Sequence, residues 1–451
     1  MWKLISLVLV PLLIGARPPS ELEVRLETRA SLKPVYLSRI YTDSTVTDWR
    51  YFDELRGVLE FDLNASGFFS VAPQSEALEN AFRFPDVRSD FDLAVWKKEK
   101  IPYAVAIQSF KNRFQTTVFN TENGTSKKYP DLPITGRLEQ DRRQVHLLFD
   151  AIQKDLFGIE GIASLRLLFA HRTKNEEKGL EWLSEIWVSD SDGANAQQIT
   201  REKSYCLSPS FFPKALWQSD PEFFYVSEKD GQSKIYRSSL ARRQSAPMVD
   251  LRGNQALPSL TAKGTQMAFI TDVAGRPDLF VQNFDSKGKM AGKARQLFSS
   301  ARATQASPTY SPDGKKIAFV SDKDGPPRIY LLTVPTAKDT QRASPKLLTR
   351  KNRENTSPAW SPDGMKLAYS AKVDGVRQIW VYDFSTEEEI QLTTGPENKE
   401  NPSWAPNSFH LVYNSESNDV SELYLIHLNR GEPIQISKGP GQKRFASWEP
   451  R

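Results

Sequence analysis

Four histidines, one cysteine and several aspartates in Asp-Gly turns are the residues of this chain best suited to chemistry. A catalytic zinc site is usually announced by histidines at short spacing on one element. His146, His171, His410 and His427 form no HExxH or comparable pattern. The sole cysteine, Cys206, excludes an intramolecular disulfide and a multi-thiolate metal site, and before a Ser-Pro turn it reads as a quiet, partly buried thiol. A serine nucleophile on a strand-to-helix elbow needs G-x-S-x-G, and Gly231-Gln232-Ser233-Lys234-Ile235 does not complete it. Carboxylates remain. Asp190, Asp192, Asp230 and Asp324 each stand in an Asp-Gly or Asp-x-Asp-Gly turn, where Asp is favoured because it hydrogen-bonds its own backbone. The expectation is a protein with no catalytic residue, no cofactor and no metal.

With 451 residues, more than one hydrophobic core is expected. The 39% hydrophobic and 25% charged residues are ordinary for a globular chain. Sixty basic against 55 acidic residues leave a net charge of +5 with both signs interspersed. The basic clusters are pairs such as Arg142-Arg143 and Arg242-Arg243, so no stripe fit for nucleic acid is present. Met1-Trp2-Lys3 followed by the apolar run Leu4 to Ile14, then Gly15-Ala16, has the shape of an export signal over residues 1–20. Export without cystine suits a bacterial periplasm. The mature chain is expected to begin between Arg17 and Glu23.

The second half repeats. Ser307-Pro308-Thr309-Tyr310-Ser311-Pro312-Asp313-Gly314 returns as Ser357-Pro358-Ala359-Trp360-Ser361-Pro362-Asp363-Gly364, and, degraded, as Asn401-Pro402-Ser403-Trp404-Ala405-Pro406-Asn407-Ser408. Earlier copies start at Ser208-Pro209 and Leu257-Pro258, so the prolines lie 49, 50, 50 and 44 residues apart, the period of a propeller blade. Within a copy, Ser-Pro-Asp-Gly makes a turn because Pro presets φ and Gly takes a conformation other residues resist. The alternating strand Ile317-Ala318-Phe319-Val320, the turn Asp324-Gly325, the strand Ile329-Tyr330-Leu331-Leu332 and the short Lys346-Leu347-Leu348-Thr349 then complete a four-stranded blade. The first copy, from Arg166, lacks its Pro-x-aromatic strand. Phe445-Ala446-Ser447-Trp448 supplies one with nothing after it, so the C-terminal segment is expected to close a six-bladed ring over residues 161–451.

Ahead of the repeat, residues 21–160 read as a small α/β domain. Glu23-Val24-Arg25-Leu26-Glu27 alternates like a strand, and Trp49 to Leu63 has near-helical apolar spacing. Phe68 to Val71, Tyr103 to Ile107 and Thr116 to Phe119 are expected strands, with a turn at Glu122-Asn123-Gly124. Helical spacing returns from Arg143 to Leu156.

This order, with Leu22-Glu23-Val24-Arg25, Asp62-Leu63-Asn64-Ala65-Ser66-Gly67-Phe68-Phe69, Asp155-Leu156-Phe157-Gly158-Ile159-Glu160-Gly161 and Trp187-Val188-Ser189-Asp190-Ser191-Asp192-Gly193, resembles the TolB family of the Tol-Pal envelope system. The resemblance covers nearly the whole mature chain, although several Ser-Pro-Asp-Gly turns have drifted and the stretch from Pro73 to Lys100 diverges. It implies a non-enzymatic, monomeric periplasmic adaptor that supports outer-membrane integrity and constriction during cell division. The propeller would bind the peptidoglycan-associated lipoprotein Pal, tying the protein to the outer membrane, and the N-terminal strand Glu23, Val24, Arg25, Leu26 and Glu27 would bind TolA. The family's Pal-contacting positions match Asn254 and Leu257, Ala306 and Ser307, Thr356 and Ser357, and Glu400 and Asn401, in the turns that lead into the innermost strands. The rival is a propeller enzyme, lactonase-like or a metal-dependent hydrolase, with Asp190, Asp192, Asp230 and Asp324 converging on the central channel.

Overall fold

The computed structural model describes residues 32–42, 49–82, 93–175, 181–217, 220–241, 244–335 and 344–451. The proposed signal segment and the strand Glu23 to Glu27 lie outside the described residues. No helix among those described is long and apolar enough to cross a membrane.

The N-terminal α/β domain is built on a sheet whose strands run in the order Phe69–Val71, Lys33–Thr42, Tyr103–Phe110, Arg113–Asn120 and Thr125–Lys128, with Leu132–Pro133 also paired to Arg113–Asn120. The pairings of Lys33–Thr42 with both neighbours are parallel and the rest antiparallel. Helices Trp49–Ala65 and Leu138–Phe157 cover one face, burying Leu55, Val58, Leu59, Val145, Leu148 and Ile152 against Val35, Leu37, Val105 and Ile107. Two short helices, Glu76–Ala81 and Leu93–Lys98, close the other face over Tyr36, Phe82, Trp96 and Phe119. They occupy the divergent stretch. The strand Lys33–Thr42 and both short helices escaped the sequence reading, because a strand buried on both faces shows no alternation and six-residue helices offer too little period.

Beyond Phe157 the described chain forms four separate four-stranded antiparallel sheets and one eight-stranded sheet. The eight-stranded sheet is two blades side by side, linked by the single parallel pairing Ser421↔Gln442. In the first blade the innermost strand is C-terminal: Gln442–Trp448 pairs antiparallel with Arg166–Lys174, with Trp448 opposite Leu167. Arg166 clamps the join by giving Nε and Nη2 to the two carboxylate oxygens of Glu449 at 2.9 and 2.7 Å. The ring therefore closes as the unmatched Phe445-Ala446-Ser447-Trp448 requires, and no blade edge is left open at the join.

Blades are held to one another through their repeating aromatic residues. Trp404 Nε1 donates to Ala359 O of the preceding blade at 3.1 Å, and Trp448 Nε1 to Ser403 O at 3.3 Å. The Ser-Pro-Asp-Gly turns are small hydrogen-bonded loops: Ser311 Oγ donates to Asp313 Oδ1 at 2.6 Å and accepts from Lys316 N at 2.9 Å. Degraded copies each keep part of this bonding. Thr261 Oγ1 accepts from Gln266 N at 3.2 Å in the third blade, and Asn407 Oδ1 accepts from Phe409 N at 3.1 Å in the sixth. Turn chemistry is thus conserved while the letters change.

Candidate functional site: the mouth of the propeller

Strands of an antiparallel blade alternate in direction, so the turns into the innermost strand and those between the second and third strands share one end of the ring. The Ser-Pro-Asp-Gly turns and the turns into the outermost strand share the other. The α/β domain docks on that second end. Asn407 and His410 from the turn after the sixth blade's innermost strand reach Glu160 O and Ala65 O, at 3.3 and 3.0 Å. Asn429 reaches Gly67 O at 3.3 Å and Arg430 hydrogen-bonds Asn64 O. The inlet turns form the opposite, uncovered mouth.

Each innermost strand carries the same irregularity at that mouth. Ser208, Leu257, Ser307, Ser357, Asn401 and Phe445 have φ of 51, 50, 45, 51, 52 and 55°, although none is glycine. At each the ladder slips, for example between Ala306 and Thr309 or Thr356 and Ala359. Left-handed backbone costs an L-residue about 1–2 kcal/mol, and Asn bears it best. The bulge belongs to the frame, since every blade has it. What varies is the half-buried side chain it presents: Ser, Leu, Ser, Ser, Asn and Phe.

Across the fifth, sixth and first blades these side chains form a polar lattice. Ser357 Oγ donates to Asn401 Oδ1 at 3.2 Å, and Asn401 Nδ2 donates to Asn414 Oδ1 at 2.9 Å. Arg377 donates from Nη1 to Thr356 Oγ1 at 3.1 Å and pairs through Nε with Glu400 Oε1, also at 3.1 Å. Glu354 Oε2 lies 3.8 Å from Arg377 Nη2, and Arg444 pairs with Glu416. Exposed Val420 stands on the sixth blade's turn at the same end, and exposed Val273 on the third blade's.

Of the eight expected mouth residues, Ser307, Thr356, Ser357, Glu400 and Asn401 are gathered here. Asn254 sits earlier on its turn, fixed by its N and Nδ2 to the Asp272 carboxylate, both at 2.7 Å, and the slot matching Ala306 and Thr356 is filled by Ala256. Leu257 and Ala306 also lie on the inlet end of their strands, half-buried and packed against apolar clusters between blades. Besides Ala256, the matching inlet positions of the other blades, Leu207 and Ser208 of the second and Arg444 and Phe445 of the first, were not named from the sequence. The Pro209 alignment contained the signal for the former. Phe445 precedes Ala446, which stands where the other copies have proline, and the match of Phe445 to Trp448 with the innermost strand contained its signal.

The four aspartates of the rival reading do not converge on the channel. Asp190 and Asp192 lie at the docked end, where Arg142 of the α/β domain pairs with Asp192. Asp230 and Asp324 are at the mouth end, on separate blades, accepting from Tyr236 OH and Tyr330 OH respectively. Lys323 and Tyr330 hold the Asp324 carboxyl below its usual range. An exposed carboxylate tied to a lysine and a tyrosine on its own turn is a turn residue.

Fold and mouth together define a closed six-bladed β-propeller with an α/β domain docked on one end and a polar, partly strained opening at the other. The chain belongs to the TolB beta propeller domain family, which matches residues 153–451. It is 42% identical over 297 residues to the Protein TolB homolog of Protochlamydia amoebophila, an alignment covering 65% of this chain and 63% of that one. The Protein TolB homolog of Chlamydia felis is 39% identical over 202 residues, 44% of this chain and 46% of its own. The chain thus spans less than two thirds of these curated relatives. The crystal structure of TolB from Acinetobacter baumannii covers 94% of this chain and 98% of its own with a TM-score of 0.74 at 22% identity, a likeness of fold.

Proposed function

We propose that this protein is a non-enzymatic component of a bacterial Tol-Pal envelope system, located in the periplasm. Its mouth binds the lipoprotein Pal, and the segment Glu23 to Glu27 engages TolA, so that the protein supports outer-membrane integrity and envelope constriction. Membership of the TolB family supports this reading. The observation that carries it is the mouth lattice of Thr356, Ser357, Arg377, Glu400 and Asn401, half-buried and already oriented by one another. Small hydroxyls and amides around charged pairs, with exposed Val420 on the sixth blade beside them, suit a protein interface, which combines apolar contact with about one hydrogen bond per 100–200 Å².

Affinity capture from a detergent extract of the native envelope tests the proposal. The purified protein should recover a peptidoglycan-binding lipoprotein, and Asn401→Arg, which puts a bulky charge in the lattice, should abolish the recovery. Equal recovery by the folded variant would place the partner elsewhere.

A further inference from the structure

Where the α/β domain meets the first blade, His146 of helix Leu138–Phe157 is only 1% exposed. Its Nδ1 lies 2.8 Å from Asp62 Oδ2 on helix Trp49–Ala65. Its Nε2 is buried without a hydrogen-bond partner and faces the turn Asp190 to Gly193, with Asp192 Oδ2 at 3.8 Å. That distance is too long for a hydrogen bond, but two metal–ligand bonds of about 2.1 Å span it. One ligand atom from each of His146, Asp190 and Asp192 lies within 4.8 Å of the other two. Asp190 is half-buried.

We propose that His146, Asp190 and Asp192 form a divalent metal site, suited to zinc, that staples the α/β domain to the first blade.

The surrounding groups support the ligands. Asp62 accepts from Nδ1 and so fixes the tautomer that presents a lone pair on Nε2, as carboxylates behind metal-bound imidazoles do. Asn195 Nδ2 donates to Asp190 Oδ2 at 2.7 Å, and Ala194 N to Asp192 Oδ1 at 3.0 Å. The turn itself is fixed, because Gly193 has φ +84° and a Cβ there would lie 1.5 Å from Ile436 O. Charge points the same way. The carboxylates of Asp62, Asp190 and Asp192 face Arg142 and His146. With a neutral imidazole, three negative charges meet one positive, and a divalent ion balances them. An imidazolium would leave one carboxylate unanswered. Imidazole with two carboxylates is a borderline donor set that suits zinc better than calcium or magnesium. No local spacing announces the set, because its ligands come from two domains.

The test is zinc chloride titrated into the full chain after dialysis against a chelator, followed by calorimetry and thermal melting. One equivalent should bind and raise the melting temperature, since a metal that binds only the folded state stabilises it. Asp190→Asn, a partly exposed and nearly isosteric change, should weaken binding about tenfold or more, as should His146→Gln. If His146→Gln fails to fold, Asp190→Asn and Asp192→Asn decide. No zinc-dependent shift in the wild-type protein, or wild-type zinc affinity in the folded aspartate variants, would overturn the site.

Discussion

The two ends of the propeller solve opposite problems with the same repeat. At the docked end, turns of the sixth and first blades pack against the α/β domain. His410 and His427 are 1% and 2% exposed, and their rings meet edge to face at 4.5 Å. Gly67 lies so close that an added Cβ would be 2.0 Å from His427 Nδ1. At the mouth, turns stay accessible, and the bulged backbone presents a different side chain from each blade. One end is fixed by burial and close approach, the other by polar contacts that a partner could reorganise. Substitutions should therefore cost stability at the docked end and affinity at the mouth.

The largest effect should come from opening the ring on which both ends depend. Deleting the chain from Gln442 onward removes the first blade's innermost strand and the Arg166–Glu449 clamp. Trp448→Ala alone should destabilise by about 3–5 kcal/mol, and the deletion by more, seen as loss of a single cooperative melt. A melting temperature unchanged after the deletion would remove the closure argument.

Next, Gly67→Ala should loosen the docked end without touching the mouth. The residue has φ +77° and no room for a methyl group, so about 1–2 kcal/mol of backbone strain adds to displacement of His427. Faster proteolysis between residues 158 and 165, with the propeller itself intact, is the expected readout.

A pH titration sharpens the comparison further. Burial pushes His410 down to about 4, which the hydrogen bond with Ala65 O only partly offsets, and drives His427 well below its usual value. Unfolded histidine takes a proton near 6.5, so as pH falls from there the unfolded state binds protons that folded His410 refuses. Stability should drop through that window and stop dropping near pH 4, by about 3 kcal/mol for His410. Above about pH 6.5 the effect is absent. His410→Gln keeps a donor toward Ala65 O without a titrating ring and should flatten the decline, as followed by denaturant midpoints. An identical pH profile in wild type and variant would contradict the assignment.

The smallest effect belongs to the mouth frame. Ser357→Gly relieves left-handed strain at φ 51° but loses the bond to Asn401, so stability should change by no more than about 1 kcal/mol. A larger loss would mean that the mouth is a stability element like the docked end.

Much of this was legible in the sequence because it repeats. The Pro-x-aromatic and Asp-Gly elements marked the blades, and the orphan Phe445-Ala446-Ser447-Trp448 showed how the ring shuts. The docking was not legible. Gly67 and His427 are ordinary letters until folding brings them together, and His146 shows no zinc spacing because Asp190 and Asp192 reach it from another domain. At the mouth, period-counting found the inlet positions but could not see that Leu257 and Ala306 also pack against apolar clusters between blades or that Asn254 is tied to Asp272. Period tells where a residue recurs, and packing decides which way it faces.

The division of labour between the ends is tested most directly by calorimetric titration of purified protein with the soluble domain of Pal, comparing wild type, Asn401→Arg and Gly67→Ala. The account predicts that Asn401→Arg weakens binding about tenfold or more while lowering the melting temperature less than Gly67→Ala does, and that Gly67→Ala retains binding. Wild-type affinity in Asn401→Arg, or lost affinity in Gly67→Ala alone, would contradict it.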